Sequence, residues 1–184
     1  MPSQRTDSYG GSIGNRSRFL LQVVEALVSV WGGNRVAVRI APGGRWNGMS
    51  DSDPEALFDH VAQESNQFGV AYLHIIEPGR KKCSHRRGAV CDCGGTAPKD
   101  IKRTIIAAGG FEPGTAEEVV ENGDADLIAF GRHFLSNPDL PKRIQFGLPL
   151  NAYDRSTFYT FDAHGYTDYP FYEQRSESVT SAVR

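Results

Sequence analysis

Two glycine-bearing motifs are the residues of this chain best suited to holding a ligand: Ala108-Gly109-Gly110-Phe111 and Phe130-Gly131-Arg132. Each follows a short apolar run, Thr104–Ala108 in the first case and Asp126–Phe130 in the second. Adjacent glycines let a ligand approach the backbone closely, and their N–H groups can face an anion. Gly131 exposes a further N–H, while the Arg132 guanidinium can grip a phosphate through two parallel hydrogen bonds. Taken alone, each motif reads more readily as plain turn geometry. At the carboxyl ends of successive strands, the two together fit a phosphate site as well as they fit plain turns.

Arg39 lies within the run Arg35–Ile40, between Val38 and Ile40. Its position predicts burial, and a buried guanidinium needs a counter-charge. Two readings follow, a structural ion pair with a carboxylate or an electrophilic cation facing a ligand. His74, inside Val70–Ile76, reads as a satisfied core or lining histidine rather than a catalyst. Cys83, His85, Cys91 and Cys93 fall within eleven residues. Structural zinc sites favour cysteines separated by two to four residues, and Cys-x-Cys is strained for tetrahedral chelation. A basic loop with free thiols is therefore the better reading, and no metal is expected. The aromatic stretch containing Phe158, Tyr159, Tyr166 and Tyr169 reads as closing-strap packing or as the wall of a planar-ligand site.

The four apolar runs Arg35–Ile40, Val70–Ile76, Thr104–Ala108 and Asp126–Phe130 must position these groups. They are continuous rather than alternating, which predicts strands covered on both faces of a parallel sheet. Helical patterns separate most of them. Phe19, Leu20, Val23, Val24, Leu27 and Val30 form one wide apolar stripe before the first strand. Asp53-Pro54-Glu55 has the chemistry of a helix start, with Gly69 as its stop. Thr115 and Glu118 have capping-box spacing before a helix ended by Gly123, and Asn137-Pro138 opens another that Gly147 ends. The class is α/β, built from βα repeats. Lys81–Arg103 breaks the pattern with seven Lys and Arg against two Asp, so it carries +5 and the remainder −7. Its glycines, Pro98 and scattered apolar residues leave no stripe for a crossover helix.

The 184 residues carry a net charge of −2 and 39% hydrophobic residues, values of an ordinary globular chain. No apolar run approaches the ~18–20 residues of a membrane span, and near-neutral charge gives no reason to expect nucleic acid. Three clustered cysteines cannot make a disulfide framework, which points to the cytoplasm.

Arg5–Leu27 (RTDSYGGSIGNRSRFLLQVVEAL) resembles the RTDEYGGSxENRxRFxLEVVxA stretch of Old Yellow Enzyme-type NAD(P)H:flavin oxidoreductases. RVAVRIAP, HIIEP, IIAAGGFEP, DLIAFGRHFLSNPDLPKRI and DRSTFY…AHGYTDYP continue the similarity in order, over about 150 of the 184 residues. The resemblance implies a (β/α)8 barrel that binds FMN, takes hydride from NADPH or NADH and reduces the activated C=C bond of enones and enals. It implies that Arg39 approaches the flavin's pyrimidine edge, that Gly109 and Gly110 cradle the FMN phosphate, and that Gly131 and Arg132 clamp it. Tyr159 would lie at the flavin, with Phe158 and Trp46 lining the substrate side. The matched motifs belong to the family's C-terminal half. The expectation is thus about four C-terminal βα units of a truncated barrel over residues 1–172, with a polar tail at 173–184. The family's proton donor and carbonyl-binding His/Asn pair have no counterparts here, so no catalytic residue is assigned. Open strand edges predict self-association or pairing with a missing half. The alternative is a catalytically silent, or isomerase-like, homologue acting through association.

Overall fold

The computed structural model describes residues 4–44, 46–76 and 102–172; the Cys83–Cys93 cluster, most of the basic stretch and the 173–184 tail lie outside them. The described residues fall into two compact units, divided between Ala129 and Phe130.

The first unit contains helix α1 (Ile13–Trp31), strand β1 (Val38–Ile40), helix α2 (Pro54–Gln67), strands β2 (Tyr72–Ile76) and β3 (Thr104–Ala108), helix α3 (Pro113–Glu121) and strand β4 (Leu127–Ala129). The strands form one parallel sheet in the order β1-β2-β3-β4. Val38 pairs with Leu73 and Leu73 with Ile105; Ile40 pairs with Ile75 and Ile75 with Ala107. All six side chains are buried, as are Val24 of α1 and Val61 and Ala62 of α2. Alternate residues along a strand point to opposite faces, so this register gathers the apolar set on one side.

Local chemistry starts α2 where the sequence predicts, but not α3. Asp53 accepts a hydrogen bond from the Ala56 N–H at 3.1 Å, and Pro54 takes the first helical position. Thr115, expected to cap α3, instead sits inside its first turn. Glu112 precedes the helix, Pro113 opens it, and Thr115 Oγ1 accepts from the Glu112 N–H at 3.0 Å. Proline's fixed φ suits the first helical position, which moves the cap three residues upstream, from Thr115 to Glu112.

Burial departs from expectation in two places. The strands are not covered on both faces: β2 alternates buried and partly open residues along its length. The α1 stripe also divides. Val24 is buried and Leu20 and Leu27 half-buried, but Phe19, Val23 and Val30 remain 68%, 40% and 70% exposed. At 100° per residue the latter three fall on a second face, turned away from the first.

The second unit holds α4 (Arg132–Ser136), α5 (Leu140–Gln145) and a 3-10 turn at Arg155–Thr157. A single helix from Asn137 was expected here, but Asn137 ends α4 in extended conformation. Its fully buried side chain donates to the His133 carbonyl at 2.8 Å and accepts from the Asn151 N–H at 2.6 Å. Asn151 in turn donates to the carbonyls of Ser136 and Pro170, both at 2.9 Å. Arg143, only 1% exposed, pairs with Asp139 at 2.6 Å and donates to the Pro149 and Pro170 carbonyls at 2.8 and 2.9 Å.

Removing one partner of a buried ion pair strands the other. Arg143→Met should therefore destabilise the protein by about 3 kcal/mol, measured by urea unfolding. Burial would push the Asp139 carboxyl up, but the Tyr172 N–H and the Arg143 guanidinium outweigh it and hold the carboxyl below its ordinary value. A depressed carboxylate contributes stability above its unfolded pKa and loses it as pH falls through the folded one. Acid titration should accordingly show a loss of stability below the usual carboxylate range that Asp139→Asn flattens.

Candidate functional site

Arg39 occupies the face of the sheet opposite the core. Val38 and Ile40 point inward, so the residue between them points outward and is exposed, which corrects the expected burial. It pairs with no carboxylate among the described residues. The core ion-pair reading therefore falls, and a cation on an open face remains. In register beside Arg39 stand His74 on β2, Ile106 on β3 and Leu127 on β4. The next layer toward the strands' carboxyl ends is Ile76, Ala108 and Ala129.

His74 lines this face, but it is not satisfied. Its Nε2 is buried and makes no hydrogen bond. Burial first, and the positive charge of Arg39 second, lower its pKa below the ordinary histidine value. The imidazole is thus neutral near pH 7.

Beyond Ala108, Gly109 and Gly110 adopt φ of +140° and +86°. Side chains rarely tolerate either value, so backbone geometry alone demands glycine at both positions. Buried Phe111 anchors the turn, and α3 begins two residues later. Gly131, in the second unit, is different. Its φ of −95° is open to any residue, and a Cβ built on it would meet no atom within 4 Å. Nothing in the fold excludes a side chain there, so open space adjoins its backbone.

Arg132 is half-buried at the start of α4. Its Nη1 donates to the Tyr153 hydroxyl at 3.1 Å, and the guanidinium lies 5.3 Å from that ring's centroid. No carboxylate neutralises it among the described residues. Tyr153 also packs against His133 and Phe158, with ring centroids 5.8 and 5.9 Å away. The sequence reading passed over Tyr153 because it lies 21 residues from the arginine it orients and no short spacing marks the pair.

The two aromatics expected near a ligand behave differently. Phe158 is half-buried against Tyr153, whereas Tyr159 is 91% exposed at φ +63°. A positive φ is uncommon in a non-glycine residue, and the exposure of Tyr159 sets it apart from strap packing. The backbone places Trp46 on a 3-10 turn, Trp46–Gly48, in the loop after β1. Among the described residues no cluster of three or more His, Cys, Asp or Glu could hold a metal, and no helix is long and apolar enough to cross a membrane.

These positions tolerate different changes. Gly110→Ala forces a side chain into a left-handed backbone and should cost about 1 kcal/mol or more in a thermal melt. Gly131→Ala meets no steric obstacle and should leave the melt within about 0.5 kcal/mol of wild type.

A model of the NADH:flavin oxidoreductase / NADH oxidase family matches residues 1–151. Putative 12-oxophytodienoate reductase 5 of Oryza sativa subsp. japonica is 44% identical over 191 residues, covering 98% of this chain and 49% of that protein. For 12-oxophytodienoate reductase 2 of Arabidopsis thaliana the identity is 45% over 175 residues, covering 93% and 46%. Of solved structures, morphinone reductase gives a TM-score of 0.79 at 39% identity, covering 94% of this chain and 46% of that one. The Old Yellow Enzyme homologue of Zymomonas mobilis gives 0.77 at 33%, covering 91% and 47%. The chain spans about half the length of the curated relatives it matches, and its four parallel strands are part of a (β/α)8 barrel. By sequence and by fold, it belongs to the NADH:flavin oxidoreductase / NADH oxidase family.

Proposed function

We propose that this chain contributes the FMN-binding side of an NAD(P)H-dependent ene-reductase acting on enones and enals. The left-handed glycine pair Gly109-Gly110 at the end of β3 carries the reading, because it turns backbone toward a ligand where βα proteins bind phosphate. The relatives' names support the chemistry, being reductases of 12-oxophytodienoate and of morphinone, and one morphinone reductase structure holds tetrahydroNAD.

FMN, when bound, supplies the hydride chemistry, and the chain's share is binding and electrostatics. In the first unit Gly109 and Gly110 offer backbone N–H groups suited to a phosphate; in the second, Gly131 offers another, and Arg132, oriented by Tyr153, a guanidinium with no carboxylate partner among the described residues. Arg39 places a permanent positive charge on the open sheet face, where it stabilises negative charge on an electron-rich ring. Tyr159 lies at the flavin, with Phe158 and Trp46 toward the substrate. None of these residues moves a proton, and no catalytic residue is assigned.

Residues 1–172 are read as the four C-terminal βα units of the barrel, working in the cytoplasm. Its β1 and β4 edges await four further strands, from this polypeptide or another. Because the match covers about half of each relative, a second reading stands beside the first. In it the chain is a catalytically silent or isomerase-like homologue that acts by association.

Flavin fluorescence titration decides between them. The first reading expects FMN to bind with a micromolar or lower Kd and NADPH to bleach the yellow protein. Colourless protein whose melting temperature ignores FMN would contradict it. Arg132→Ala should weaken FMN binding at least about tenfold, because a charge-assisted phosphate contact is lost.

A further inference from the structure

Arg39 and His74 are in register on adjacent strands of the open face, where neighbouring strands lie about 4.8 Å apart. The guanidinium has five donors and no acceptor. The imidazole beside it keeps one nitrogen, Nε2, buried and without a hydrogen bond. An unsatisfied buried polar atom costs free energy, so this one is next to the group best able to satisfy it. The rest of the row offers nothing in its place. Ile106 on β3 and Leu127 on β4 are apolar, and the remaining titratable group on this face of β2 is Tyr72, two residues earlier.

We propose that His74 is a positioning residue for Arg39: its neutral Nε2 accepts a guanidinium N–H when a planar heterocycle with hydrogen-bond acceptors on its edge lies on this face, fixing one rotamer and fanning the remaining donors toward the ligand. The proposal rests on the reading of Arg39 as flavin-facing. It requires an imidazole with a free lone pair. Burial and the Arg39 charge both favour the neutral ring. Protonation would remove the acceptor and set two positive charges side by side. Ligand affinity should therefore fall as pH drops through the His74 titration, below the ordinary histidine range.

The test uses the 184-residue chain and two measurements. Riboflavin is titrated by fluorescence from about pH 5 to about pH 8 into wild type, His74→Gln and His74→Phe. Riboflavin lacks the phosphate, whose own titration near pH 6 would overlap. His74→Phe should weaken binding by roughly tenfold or more at neutral pH, the worth of one hydrogen bond to a charged group. His74→Gln, which keeps a non-titrating acceptor, should stay within about twofold and lose the acid-side decline. Separately, the His74 ring is titrated by NMR in wild type and Arg39→Gln, where its midpoint should rise. Variants that bind like wild type at every pH, with an unmoved midpoint, overturn the positioning role and leave the flavin reading intact. Failure of wild type to bind any flavin overturns the flavin reading. The NMR midpoint then decides whether the Arg39 charge reaches the His74 ring: a rise supports the juxtaposition on which the positioning role rests, and an unchanged value refutes it.

Discussion

The parallel register of the four strands is the constraint on which the rest of the first unit depends. Val38, Leu73 and Ile105 share one row, and Ile40, Ile75 and Ala107 share another, all on the buried face. The residues between them, Arg39 and His74, are thereby committed to the other face. A slip of one residue in β1 would exchange Arg39 with its apolar neighbours, burying a charge and exposing Val38 and Ile40. Correct packing of the core and correct display of the cation are thus one event. The same register carries β3 out to Gly109 and Gly110, so the glycine turn is set by the strand that precedes it.

The two units are held together by different physics. The first relies on apolar burial, with the aliphatic strand residues buried and Val24, Val61 and Ala62 buried on the helices. The second buries Arg143, Asn137, Asn151 and Ser136 instead, and satisfies them with one another and with backbone carbonyls. A buried polar network is directional and tolerates one arrangement, so it rigidifies the segment containing it. Arg132 sits at the start of this segment, further restrained by the Tyr153 hydroxyl and ring. A guanidinium restrained in this way has less rotamer freedom to lose on binding.

Much of the fold was legible because strand positions and turn residues report local chemistry. β3 spans the predicted Thr104–Ala108, the other strands fall inside their predicted runs, and Asp53 caps α2 as its type and spacing imply. What was not legible depends on partners distant in sequence. The outward Phe19, Val23 and Val30 are as apolar as the inward Val24, so hydrophobicity could not tell the two faces of α1 apart. Arg39 looked buried because its neighbours are; in a three-residue strand, period two is too short to see. Asn137 interrupts the helix for the sake of Asn151, fourteen residues away. Among the candidate ligand contacts, Gly109 and Gly110 were legible as types that backbone geometry demands, while Tyr153 was invisible until Arg132 was seen against it.

The proposed function rests on the Gly109–Gly110 turn of the first unit binding the phosphate of a flavin nucleotide. Isothermal titration of FMN and riboflavin into the chain under identical conditions tests it most directly. The account predicts that FMN binds at least about tenfold tighter than riboflavin, the difference being the charge-assisted phosphate contacts. Equal affinities, or no binding of either, would contradict it.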